Sequence, residues 1–91
     1  MDKARKVAIV TGASQGIGAE LVQALRSRDY QVVANSRSIK TVDNSDVVAV
    51  PGDVADPQTA ERVVREALNR FGRIDTLVIG WSTRLVVMVT T

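Results

Sequence analysis

The chain has 91 residues, 12 basic against 10 acidic, a net charge of +2 and a hydrophobic fraction of 45%, which describes one ordinary globular domain at most. Its basic residues are scattered, so no nucleic-acid surface is expected, and the absence of cysteine and histidine removes disulfides, Cys or His metal centres, Ser-His-Asp triads and Cys nucleophiles together. No apolar run approaches the ~18 residues of a membrane span, and the run behind the basic start is too short for a signal sequence, so a cytoplasmic location is the expectation.

The first predicted element is an apolar strand, Lys6–Val10. Thr11-Gly12-Ala13-Ser14-Gln15-Gly16-Ile17-Gly18 follows, and a helix is predicted from about Gln15 to Arg28, with Ile17, Leu21 and Leu25 on one face. Strand, glycine turn and helix in that order suit a dinucleotide. Gly12 permits the tight turn, Gly16 lets backbone approach a pyrophosphate, and Gly18 lets the helix pack close to the strand. The helix N-terminus then offers free N–H groups and a positive dipole end to the phosphates. The spacing is G-x-x-x-G-x-G and not the more widely cited G-x-G-x-x-G. A P-loop is excluded, because Gly18 is followed by Ala19-Glu20 where that loop needs Lys-Ser/Thr.

Tyr30 precedes a second strand, Gln31–Asn35, and is read as packing at the turn. The polar stretch from Ser36 to Ser45 leaves little room for a crossover helix. A third strand, Val47–Val50, stops at Pro51-Gly52. The second helix has the clearest signals: Asp56 as N-cap, Pro57 at the first helical position and Gly72 as the residue that closes it. Ala60, Val63, Val64, Ala67, Leu68 and Phe71 form its apolar stripe, and Glu61–Arg65 and Glu66–Arg70 are i,i+4 pairs on its outer side. A fourth strand runs from Asp75 to Ile79, with Gly80 after it. Short apolar strands separated by helices predict an α/β fold, a parallel sheet in the order 3-2-1-4 with one helix on each face.

Two further places bear on a ligand. The end of the second strand is where such folds read the ribose, with a carboxylate for the 2′-OH of NAD or an arginine for the 2′-phosphate of NADP. Here it reads Ser36-Arg37, with no carboxylate, which favours NADP. After the third strand comes Gly52-Asp53-Val54, and an Asp at the carboxyl end of a parallel strand lies where ligands bind, although Asp also suits a plain turn.

Thr11 to Gly18, Ser36-Arg37, Asp53-Val54 and Arg73-Ile74-Asp75-Thr76-Leu77-Val78 stand in the register of the short-chain dehydrogenase/reductase family, which the chain resembles over residues 5 to about 78. The resemblance implies a partial Rossmann fold and oxidoreduction of alcohol and carbonyl substrates. It implies that Ser14 and Gln15 line the adenosine and phosphate side, that the backbone at Ile17 faces the pyrophosphate, and that Asp53 and Val54 contact the adenine ring. Where the family continues with Asn-Asn-Ala-Gly, this chain has Ile79, Gly80, Trp81 and Ser82. The family's catalytic Ser and Tyr-x-x-x-Lys lie in a part with no counterpart here. The one tyrosine, Tyr30, has Ala34 four residues on, so no lysine is placed to lower its pKa.

The 91 residues are therefore expected to act as a truncated cofactor-binding half without dehydrogenase activity of their own. Two alternatives stay open: a non-catalytic dinucleotide- or partner-binding module, and an enzyme completed by a second chain. The tail, residues 79–91, has two readings as well. It is either an edge strand, which so short a link would force to be antiparallel to the fourth strand, or a divergent frame-shifted or truncated end. Apolar sheet surface left uncovered by so few helices predicts a homo-oligomer or a partner chain.

Overall fold

A computed structural model describes residues 5–12, 16–39, 45–81 and 84–89. Seven elements follow in chain order: β1 (Val7–Thr11), α1 (Gly16–Ser27), β2 (Gln31–Ser36), β3 (Val47–Pro51), α2 (Pro57–Phe71), β4 (Thr76–Trp81) and β5 (Arg84–Val89). They build a five-stranded sheet in the order β3-β2-β1-β4-β5. The first four strands are parallel, in the expected order, and β5 runs antiparallel to β4, as the edge-strand reading of the tail requires. Trp81 pairs with Arg84, so only two residues separate the strands. Residues 90 and 91 lie outside the described set.

The core has two layers because a strand sends successive side chains to opposite faces. On one face Val7, Ile9, Val33 and Val50 pack with Val63 and Ala67 of α2, with Phe71, Ile74 and Leu77 against them. On the other, Val10, Val32, Ala34, Val47 and Val78 meet Leu21, Val22 and Leu25 of α1, with Tyr30 at the turn as expected. Among the described residues one helix therefore covers each face. Every residue of β1 is buried, which is why it reads as an unbroken apolar run.

Helix α2 ends as its sequence predicts. The Asp56 side chain accepts from the Gln58 N–H, Pro57 opens the helix, and Gly72 closes it at φ 83°, its N–H reaching the Ala67 and Leu68 carbonyls. The Glu61–Arg65 and Glu66–Arg70 pairs form, at 3.1 and 3.9 Å. The apolar stripe divides, however. Val63 and Ala67 are buried, whereas Val64 and Leu68 are 43% and 49% exposed. The helix lies over β1, β2 and β3, and among the described residues no second helix flanks it to cover that side. Helix α1 ends one residue short of the prediction, with Asp29 in the left-handed region at φ 66° and the Tyr30 N–H bonded to the Leu25 carbonyl.

At the amino end of the sheet, charged side chains tie the strands to their neighbours. Arg5 meets Asp46 at 2.7 Å and Asp29 at 3.1 Å. Arg73 forks onto Asp75 at 2.6 and 2.8 Å, and Asp75 Oδ2 also accepts the Val7 N–H at 2.9 Å. Both Asp46 and Asp75 are held below the usual carboxylate pKa, first by the hydrogen bonds from Arg5 and Arg73 respectively.

Candidate functional site

The carboxyl ends of β1, β2 and β3 form one rim. Thr11 is level with Asn35, and Ser36 with Pro51, so Gly12, Arg37 and Gly52 stand in a row where each strand turns away. This is the end at which open parallel sheets bind ligands. Gly12 adopts φ 66°, the tight turn that its position requires. Gly16, Ile17 and Gly18 form the opening of α1, directly after the turn. Ser14 and Gln15 lie outside the described residues.

The rim between β2 and β3 is cross-braced. Asn35 is buried, and its Nδ2 donates to the Val50 carbonyl at 2.8 Å and the Gly52 carbonyl at 3.2 Å. The Gly52 N–H donates to the Ser36 carbonyl at 3.0 Å. Gly52 sits at φ 133°, and a Cβ there would lie 2.7 Å from Thr59 Oγ1, so residue 52 has room only for hydrogen. Arg62 of α2 donates to the Pro51 carbonyl at 2.7 Å. Asp53 Oδ1 accepts the Ala55 N–H at 2.9 Å, and its carbonyl accepts from Asp56, closing the turn into α2. Sequence reasoning saw Asn35 only as a strand end and Gly52 only as a turn, and missed the brace they form. The signal was there for Asn35, since a polar amide at the end of an apolar strand is out of place unless it has partners.

Against this braced frame two polar groups and one apolar side chain stand open at the rim. Ser36 Oγ is buried and has no hydrogen-bond partner among the described residues. The Arg37 side chain is 83% exposed, and its Nη2 stands 3.6 Å from Asp53 Oδ2. Val54, beside Asp53, is 37% exposed. The structure thus brings Gly12, Ser36, Arg37, Asp53 and Val54 to one rim. A buried hydroxyl without an acceptor next to an exposed guanidinium suits an anionic, hydrogen-bonding ligand. Among the described residues no group of three or more acidic side chains could hold a metal ion.

Comparison with known proteins agrees with this fold. A family model described as short chain dehydrogenase matches residues 6–86, and the chain belongs to that family. It is similar to a versicolorin reductase of Emericella nidulans, 41% identical over 80 residues that cover 77% of this chain and 30% of the relative. It is also similar to an L-fucose dehydrogenase of Mus musculus, 39% identical over 79 residues covering 80% of this chain and 29% of the relative. Among solved structures, a Serratia marcescens short-chain dehydrogenase/reductase with two Phe-to-Leu substitutions superposes with a TM-score of 0.74 at 35% identity, over 85% of this chain and 35% of that one. Menthone neomenthol reductase from Mentha piperita gives 0.74 at 30% identity, over 87% of this chain and 32% of that one. The chain spans about a third of the length of the relatives it matches.

Proposed function

We propose that this chain binds a nicotinamide dinucleotide across the rim of β1, β2 and β3, with NADP(H) preferred over NAD(H). The observation that carries the preference is the end of β2. Ser36 Oγ is buried and unpartnered among the described residues, Arg37 is exposed beside it, and no carboxylate occupies either position. A hydroxyl donor and a guanidinium suit a 2′-phosphate, which a carboxylate in their place would repel. Gly12 and the opening of α1, Gly16 to Gly18, take the pyrophosphate in this reading, with Ser14 and Gln15 on the adenosine side and Asp53 and Val54 against the adenine. The bound nicotinamide supplies the hydride chemistry of the family's alcohol and carbonyl reactions. The proton donor must come from outside these residues, because no tyrosine here is followed four residues on by a lysine.

A thermal-shift titration with NADPH and NADH tests the reading. A ligand present at ~100 times its dissociation constant adds about 2.7 kcal/mol, several degrees for a domain this small. NADPH should shift the transition and NADH should shift it less. Equal shifts would overturn the NADP preference, and no shift with either would overturn binding by this chain. The exposed Val64 and Leu68 on α2 favour a second feature, association with another copy or a partner chain. Sedimentation as a monomer at tens of micromolar would exclude self-association. The expected location is cytoplasmic, and fractionation of expressing cells is the check.

A further inference from the structure

Resting on the NADP(H) reading above, we propose that Asp53 is a specificity-determining residue that restrains it: its carboxylate pairs with Arg37 and opposes a 2′-phosphate that reaches for the same guanidinium. The carboxylate is oriented by its own turn. Asp53 Oδ1 is engaged by the Ala55 N–H, which leaves Oδ2 turned to Arg37 Nη2 at 3.6 Å. The two residues cannot drift apart by loop motion alone, because the strand ends that carry them are tied by the Gly52 N–H to the Ser36 carbonyl and by Asn35 to Val50 and Gly52. A ligand phosphate that pairs with Arg37 must therefore either displace the Asp53 carboxylate or sit beside it. Displacement forfeits the existing ion pair, and proximity adds like-charge repulsion. Both act against a 2′-phosphate and neither acts on a 2′-hydroxyl. Asp53 therefore narrows the gap between the two cofactors that Ser36 and Arg37 open.

The pair is solvent-exposed, 83% for Arg37 and 49% for Asp53, so the restraint is modest and screened by salt. Asp53→Asn removes the charge and keeps an oxygen for the Ala55 N–H, so the turn into α2 is preserved. The probes are adenosine 2′,5′-bisphosphate and adenosine 5′-monophosphate, titrated calorimetrically against the full chain and the Asp53→Asn and Arg37→Ala variants. The readout is the ratio of their dissociation constants, in which any change at the adenine cancels. Asp53→Asn should raise the preference for the bisphosphate roughly three- to fivefold at low salt, and the gain should shrink markedly near ~0.5 M salt. An unchanged or lowered preference in Asp53→Asn, with Arg37→Ala still abolishing it, would overturn the restraint and leave the cofactor reading standing. A preference indifferent to Arg37→Ala would instead overturn the cofactor reading itself and the restraint with it.

Discussion

At the amino end of the strands, Arg5 and Arg73 are spent on Asp46, Asp29 and Asp75, and Asp75 also takes the N–H of fully buried Val7. At the carboxyl end, the backbone is braced as firmly by Asn35, Gly52 and Arg62, yet Ser36 Oγ and most of Arg37 are left without a close partner among the described residues. One end satisfies its polar side chains internally and the other leaves Ser36 Oγ and Arg37 open, which is where the proposed cofactor site lies. The difference separates residues that stabilise the sheet from residues that the proposed function assigns to a ligand, although both ends carry arginine and aspartate.

The comparison can be broken most forcefully at Gly52. Gly52→Ala combines a backbone angle that side chains avoid with a Cβ driven onto Thr59, and it should lower stability by about 3 kcal/mol in urea denaturation. A neutral result would mean that the carboxyl rim is loosely held. At the other end, Asp75→Ala leaves the Val7 N–H without its side-chain acceptor and should cost about 2 kcal/mol in the same assay, with dinucleotide affinity unaffected once the chain is folded.

The amino end also predicts an acid response. Asp46 and Asp75 have lowered pKa values in the folded chain, so the unfolded chain binds more protons in mild acid. Their contribution is complete above the unfolded carboxylate value of about 3.9 and is lost as pH falls through the lower folded values. Denaturation midpoints measured from pH 6 downward should fall with acid, and Asp75→Asn should flatten that slope.

Arg37→Ala sharpens the contrast from the ligand side. It should leave the melting temperature of the free chain unchanged and reduce the preference for NADPH over NADH on the order of tenfold, the scale of one charged hydrogen bond. The smallest effect is expected at Asp29. Asp29→Gly relieves the left-handed backbone and surrenders only an exposed contact to Arg5, so the melting temperature should rise by roughly 2 °C.

Much of the fold was open to sequence reasoning because its signals are local. Asp56, Pro57 and Gly72 mark the ends of α2 by backbone chemistry that acts within a few residues, and the buried strands announce themselves as apolar runs. Strand limits moved by a residue or two, with β1 taking in Thr11 and β4 reaching Trp81. The site was legible in its residue types and less so in its geometry. Ser36, Arg37 and Asp53 could be named one by one, but the Arg37–Asp53 pairing depends on the register of β2 against β3. The brace from Asn35 to Val50 depends on the same register. Val64 and Leu68 belong to the apolar stripe yet stay exposed, because periodicity says which face is apolar and not how far neighbouring elements extend across it.

The antiparallel pairing of β5 with β4 decides the direction in which the polypeptide leaves the sheet. Each of β1, β2 and β3 delivers the chain to the rim that carries Gly12, Arg37 and Asp53, but β5 reverses that traffic, so Val89 finishes level with Thr76 at the opposite end. At about 3.4 Å per residue, that exit lies roughly 17 Å below the rim. A residue that followed Val89 in sequence and worked at the rim would first have to climb back over the full height of the sheet.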